Sequence, residues 1–197
     1  HGLGYKLLRE FILKNNNIKK ICHIGCSYDY IGFLIAREFT DINIKSIDRL
    51  NNLQEVCSDI KLKNIEFVDD YALKMIEDNK IEADIFYFSS ILNVIKNSEV
   101  KYYLEKIKKN GKYVVFSEPV YSNLFGFTPN IDNISHNKSV PLNLQKLYYD
   151  KNVLGYISYA HNYKEILKKS GYDILHYEMF IPDFVDYTWV RCIARTK

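Results

Sequence analysis

Residues 19–36 read KKICHIGCSYDYIGFLIA, and this stretch decides the fold. Its first part, Lys20-Ile21-Cys22-His23-Ile24, is short, rich in β-forming residues and stops at Gly25. Its last part sets Ile31, Leu34, Ile35 and Ala36 on one side of a helix that reaches Phe39. Between them lies a polar loop, Gly25-Cys26-Ser27-Tyr28-Asp29. A strand that turns through a glycine into an amphipathic helix opens a parallel crossover unit.

The alternation continues outward. Upstream, Leu3, Leu7, Leu8, Phe11 and Ile12 predict a helix that Asn15-Asn16-Asn17 stops. Downstream, Ile42 to Ile47 alternates as a strand ending at Asp48, and residues 51–60 predict a helix. Asn64 to Val68 predicts a strand ending at Asp69-Asp70, and residues 72–79 a short helix. Ala83 to Phe88 is almost continuously apolar, as in a strand covered on both faces. Residues 98–109 predict a helix with Val100, Tyr103, Leu104 and Ile107 inward, followed by an Asn110-Gly111 turn and a strand over Lys112 to Phe116. A last helix is expected at 161–170, capped by Gly171, then an edge hairpin of Tyr172 to Phe180 and Tyr187 to Ala194. The expected fold is α/β: an open, mostly parallel seven-stranded sheet with helices on both faces and a C-terminal antiparallel hairpin.

Residues 119–158 break the rhythm and hold Pro119, Pro129 and Pro141, three of the four prolines. They read as a lid-like insertion in a single domain spanning residues 1–197. With 47% hydrophobic and 26% charged residues, the chain has enough apolar material to fold, which excludes disorder. A net charge of +3, from 27 basic and 24 acidic side chains, argues against a dedicated nucleic-acid binder. Cys22, Cys26, Cys57 and Cys192 form no CxxC pair and no zinc spacing, so no metal is expected and free thiols in a reducing cytoplasm are. The chain opens at His1 without a signal peptide's apolar run, and no apolar stretch suits a bilayer, so no membrane association is expected.

Ligands of open α/β sheets bind beyond the carboxyl ends of the strands. Four such ends are polar here: Gly25 to Asp29, Asp48, Asp69-Asp70 and Ser89-Ser90. Gly25 allows close backbone approach to a ligand. Asp48 can accept both hydroxyls of a ribose, and Asp70 an adenine amino group; either could instead cap the helix that follows. A phosphate-binding loop of the GxxxxGK type fails because Tyr30 stands at its second glycine. A GxGxxG dinucleotide fingerprint fails at Ser27 and Tyr30. A nucleoside without a pyrophosphate fits better.

The ordered set of segments resembles class I S-adenosylmethionine-dependent methyltransferases. KKICHIGCSYDYIGFLIA looks like their first motif, IKSIDRL their second-strand motif and NIEFVDDYAL the third. ADIFYFSSILNVI resembles the fourth strand with its following segment, and YYLEKIKKNGKYVVFSEP the helix, turn and fifth strand. YKEILKKSGYDILHYE and TWVRCIARTK look like the terminal helix and hairpin. The resemblance implies S-adenosyl-L-methionine as cofactor. It implies that Gly25, Cys26, Ser27 and Tyr28 cradle the methionine part, that Asp48 holds the ribose and that Asp70 with Tyr71 frames the adenine. Ser89 would then present backbone groups to the methionine amine. The chain departs from the family at His23, where an acid is usual, and at Ser27 and Asp29, where glycines are.

The implied activity is methyl transfer to an oxygen, with nitrogen as the second choice, of a small polar metabolite, a sugar-type hydroxyl being the leading acceptor. The alternatives are an RNA or protein methyltransferase, or a non-catalytic methyltransferase-like scaffold. A hydroxyl acceptor needs its proton removed near the methyl group. The candidate bases are His161, which can titrate near neutral pH, then Glu118, then His136. The bland readings are a neighbour of a helix cap for His161, a group orienting cofactor or loop for Glu118, and a solvated loop residue for His136. His23 reads as a core histidine and His176 as an exposed strand residue. Tyr121, Phe125, Phe127, Tyr148, Tyr149, Tyr156 and Tyr159 either line an acceptor pocket or form a packing or homodimer surface.

Overall fold

A computed structural model describes residues 2–26, 30–49, 55, 59, 61–95, 97–122, 161–180 and 187–197. Helix α1 (Gly2–Leu13) precedes β1 (Lys20–Ile24), α2 (Tyr30–Glu38) and β2 (Asn43–Asp48). Then come β3 (Ile65–Asp69), α3 (Ala72–Glu77), β4 (Ala83–Ser89), a single 3₁₀ turn (Leu92–Val94) and α4 (Asn97–Ile107). The chain continues with β5 (Gly111–Ser122), α5 (Tyr163–Lys169), β6 (Tyr172–Phe180) and β7 (Tyr187–Thr196). The expected helix over 51–60 falls mostly outside the described residues, as does the expected insertion from residue 123 onward.

The seven strands form one sheet in the order β3-β2-β1-β4-β5-β7-β6. The pairs β1–β2, β1–β4, β2–β3 and β4–β5 are parallel, while β7 runs antiparallel to both β5 and β6. The sheet order reverses direction between β1 and β4, which places a crevice at their carboxyl ends.

The apolar run of β4 divides by the two-residue period of a strand. Ile85 and Tyr87 join Leu8, Phe11, Ile12 and Ile35 on the face covered by α1 and α2. Phe86 and Phe88 join Met75, Ile76, Leu104 and Leu167 on the face covered by α3, α4 and α5. Burial on both sides is why β4 shows no polar alternation. His23 lies on the first face with its ring centroid 4.9 Å from that of Tyr87, as its core reading required.

Two local devices fix the ends. Asn64 donates from Nδ2 to the carbonyls of Ala36, Phe39 and Ile42, satisfying the end of α2 while it starts β3. Asn162 caps α5, its Oδ1 accepting from the Glu165 amide at 3.2 Å. The helix therefore starts after His161, not at it.

One boundary differs from expectation. β5 does not stop before residue 119; it continues to Ser122, with Pro119 opposite Trp189 and Tyr121 opposite Thr188 across a register shift. Opposite Ser117, β4 ends at Ser89, so beyond that point β5 pairs with β7 only. A proline is tolerated on a strand side with no ladder to donate to, and at bulges. The stretch 119–122 thus belongs to the sheet.

Gly171 closes α5 with φ +76°, in the left-handed region. A Cβ there would meet only the Lys108 Nζ at 2.5 Å, the tip of a side chain that can swing aside. Gly171→Ala should therefore cost only the backbone term, about 1–2 kcal/mol. Thermal denaturation should show Tm lowered by roughly 2–8 °C. An unchanged Tm would mean that the helix end relaxes out of the left-handed conformation.

Candidate active site

Parallel register brings the carboxyl ends of β1, β2, β3 and β4 to one edge of the sheet. Ile24 is level with Ile47 on one side and Phe88 on the other, and Asp48 is level with Asp69. The loops that leave these ends are tied to each other. The Gly25 amide donates to the Ile47 carbonyl at 2.9 Å, and the Asp70 amide donates to the Asp48 carbonyl at 3.0 Å.

Gly25 has φ +70°, and a Cβ built on it would lie 2.7 Å from the Cβ of Ile91. Ile91 is β-branched and cannot swing that atom away. The position demands glycine for its backbone and for its neighbour. The loop after β1 is therefore pressed against the turn after β4, and Cys26 behind it is buried.

Asp48 accepts the Arg49 amide on Oδ1 at 2.7 Å, and Asp70 accepts the Tyr71 amide on Oδ1 at 2.6 Å. The N-cap of α3 is Tyr71, without a side-chain capping bond, so the capping reading of Asp70 does not hold. Tyr71 is 44% exposed, with the Arg49 guanidinium 5.2 Å from its ring centroid. Its hydroxyl receives a hydrogen bond from the Tyr103 hydroxyl at 3.1 Å. Burial and this contact push the Tyr103 hydroxyl up, so it stays protonated and able to donate. In sequence, Arg49 carries no site signal and Tyr103 reads only as an inward helix residue. Arg49 follows Asp48 directly, but Tyr103 is separated from Tyr71 by 32 positions and only packing joins them.

Ser89 ends β4 opposite Ser117. Ser90 takes φ +57°, uncommon for a residue with a side chain, while its amide donates to the Ser117 carbonyl at 3.2 Å. Glu118, at 0% exposure, accepts the Ile91 amide on Oε1 at 3.0 Å and the Asn93 amide on Oε2 at 3.3 Å. Burial pushes its carboxyl up to about 7, against the backbone N–H groups of residues 90–93, which pull it down. His161, at 2% exposure, has Nε2 at 2.9 Å from the Leu92 carbonyl. A carbonyl only accepts, so Nε2 carries a proton. Burial lowers the imidazole to about 4, against backbone contacts to Leu92 and Ile95, so at neutral pH the ring is the neutral Nε2–H form.

The structure thus brings Gly25, Cys26, Asp48, Asp70, Tyr71 and Ser89 to one edge, with Glu118 and His161 buried behind the turn after β4. It does not present His161 as an open base. Ser27, Tyr28 and His136 lie outside the described residues. His176 is an exposed strand residue 3.6 Å from Glu178. Among the described residues, no three His, Cys, Asp or Glu side chains gather as a metal site, and no helix is long and apolar enough to cross a membrane.

A cleft of about 420 Å³ lies at the opposite, amino ends of the strands, lined by Lys20, Asn43 and Lys45 among others. Of its four lysines, Lys20, Lys45 and Lys80 are paired with Glu82 at 3.4 Å, Glu66 at 3.1 Å and Asp78 at 3.1 Å. It is set apart from the strand-end crevice, where this architecture binds its ligands.

The shifts of Glu118 and His161 have opposite consequences for stability. Between the ordinary glutamate value of 4.5 and about 7, the folded protein holds the Glu118 proton that the unfolded chain releases, so this contribution is lost as pH rises. Between about 4 and 6.5 the unfolded chain binds the His161 proton that the folded one refuses, so that contribution is lost as pH falls. The two slopes oppose each other over pH 4.5 to 6.5 in the intact protein. Glu118→Gln should gain stability relative to wild type as pH rises from 4.5 to 7, and His161→Phe as pH falls from 6.5 to 4. Denaturant titrations at stepped pH check this; parallel curves for all three proteins would show that neither group is shifted.

No family model and no curated protein sequence matches the chain. Solved structures do. The chain is similar to the N-methyltransferase NodS from Bradyrhizobium japonicum WM9, solved with S-adenosyl-L-homocysteine, at 12% identity and TM-score 0.67 over 99% of this chain and 86% of that one. It is similar to magnesium protoporphyrin IX methyltransferase ChlM from Synechocystis PCC 6803 with bound S-adenosylhomocysteine, at 14% identity and TM-score 0.63 over 98% and 82% of the two chains. Human N-acetylserotonin methyltransferase, solved with S-adenosylmethionine, matches at 15% identity and TM-score 0.62 over 98% of this chain and 51% of that one. The chain has the class I S-adenosylmethionine-dependent methyltransferase fold.

Proposed function

We propose that this protein is a methyltransferase that uses S-adenosyl-L-methionine and methylates an oxygen of a small polar molecule. One observation carries the reading: the Gly25 turn and the carboxylates Asp48 and Asp70 stand in register at adjacent strand ends. The residues present fit such a cofactor. Gly25, at φ +70°, turns the chain at the carboxyl end of β1 and lets the loop there pack close against Ile91 at the centre of the crevice. The Asp48 carboxylate, which accepts the Arg49 amide on Oδ1, is the type of acceptor that a ribose diol needs. Tyr71 offers a half-open ring at the end where an adenine would lie, and Asp70 an acceptor beside it.

When bound, the cofactor supplies an electrophilic methyl group on a sulfonium. The chain's own task is to align an acceptor with it and keep water out, a contribution of several kcal/mol from orientation alone. Glu118 and His161 are both occupied by the backbone of the turn after β4, so proton removal falls to another group, and His136 is the proposed candidate. A small-molecule acceptor agrees with the net charge of +3 better than nucleic acid does. The buried thiols of Cys22 and Cys192, outside any disulfide among the described residues, agree with a reducing compartment such as the cytoplasm.

S-adenosylhomocysteine should raise Tm in a concentration-dependent way. No shift at millimolar ligand, with NAD producing one, would replace this reading by a dinucleotide site. Asp48→Ala should weaken S-adenosylhomocysteine binding by about 1–3 kcal/mol in a calorimetric titration, the cost of stranding polar partners. Loss of stability with unchanged affinity would instead give Asp48 a purely structural role.

A further inference from the structure

The turn Ser90–Ile95 is held both from within and from outside. Within it, the Ile95 amide donates to the Leu92 carbonyl at 3.2 Å across a single 3₁₀ turn. From outside, three further backbone groups are met by residues far away in sequence. Glu118 takes the Ile91 and Asn93 amides, and His161 donates to the carbonyl of Leu92 between them. Donor, acceptor and donor along three successive residues are thus met by acceptor, donor and acceptor from two side chains. A carbonyl has two lone pairs, so Leu92 can serve Ile95 and His161 together.

The grip has a direction. Ile91 carries the side chain that excludes a Cβ from Gly25. Ser90, held in the left-handed region, turns the chain immediately after Ser89. Where the turn sits therefore sets how closely the strand-end loops of β1 and β4 approach. From this geometry we propose that Glu118 and His161 are positioning residues: together they clamp the Ser90–Ile95 turn against Gly25 and so shape the pocket for the nucleoside cofactor. The proposal rests on the cofactor reading above.

A carboxylate suits the first role because two oxygens accept two amides, whereas a carboxamide turns an N–H₂ toward one of them. A donor suits the second, and a glutamine amide can supply one where phenylalanine cannot. Four proteins are compared: wild type, Glu118→Gln, His161→Phe and His161→Gln. S-adenosylhomocysteine affinity is read by calorimetry, and protection of the 90–95 amides by hydrogen exchange of the ligand-free proteins.

Glu118→Gln and His161→Phe should each weaken binding about tenfold, the equivalent of one buried hydrogen bond. Both should speed exchange at Ile91 and Asn93 while leaving the amides of α1 unchanged. His161→Gln should restore affinity to within about threefold of wild type, since only the donor matters. If wild type binds and the variants bind equally well, the clamp is overturned and the cofactor reading stands. If affinity falls while protection of 90–95 is unchanged, the clamp is also overturned, because the two residues then act on the ligand by another route. If wild type takes up no S-adenosylhomocysteine, the cofactor reading fails and the proposal falls with it.

Discussion

Burial of β4 on both faces and both edges constrains everything else in this molecule. Ile85, Phe86, Tyr87 and Phe88 are all without solvent exposure, and the strand is paired to β1 on one side and β5 on the other. A strand so enclosed can satisfy its backbone only through continuous ladders. Its parallel neighbours must then be reached by crossovers that return over the sheet. Those crossovers supply the helical layers, and parallel direction puts the carboxyl ends of β1, β2, β3 and β4 on one side. The crevice is a by-product of the same constraint that makes the core.

Where the ladder of β4 stops, the chain meets a harder problem. The turn that follows buries Leu92 and Asn93. Past the Ser90 amide, which still reaches Ser117 of β5, the Ile91 and Asn93 amides are met by a side chain and not by a strand. An unmatched buried N–H costs about 1–3 kcal/mol. A carboxylate brought in from the end of β5 answers two such groups at once, at the expense of its own desolvation, which burial registers as a raised carboxyl. The neutral His161 adds a donor without adding a second buried charge. Beneath the turn, each of these backbone groups therefore meets a side chain of the opposite hydrogen-bond sense.

The fold was legible because its strongest signals are local. The β1 run, the glycine after it, the unbroken apolar β4 and the glycine that closes α5 each carry their meaning within a few residues. The end of β5 was misjudged because Pro119 reads as a breaker, and its tolerance depends on where β4 ends, a fact of tertiary register. Within the site, the strand-end residues were legible from topology, since a residue just past a parallel strand has only one place to be. The roles of Glu118 and His161 were not. Residue type marks both as titratable, but burial and partners 27 and 69 positions away decide what they hold. For Asp70, the sequence leaves capping and ligand binding open; the cap of α3 at Tyr71 removes only the first.

The position of β7 bears on how the molecule comes to be made. It lies between β5 and β6, and its Val190, Cys192 and Ala194 are core residues. As the chain leaves the ribosome, β1 to β5 can assemble in parallel while one flank of β5 stays open. That flank is closed only when the strand ending at Thr196 has emerged. Until then the nascent sheet carries an unpaired interior edge, the kind of surface that recruits strands from other chains. Speed of synthesis and chaperone access over this interval, more than the finished protein's stability, should govern how much of it reaches the native state.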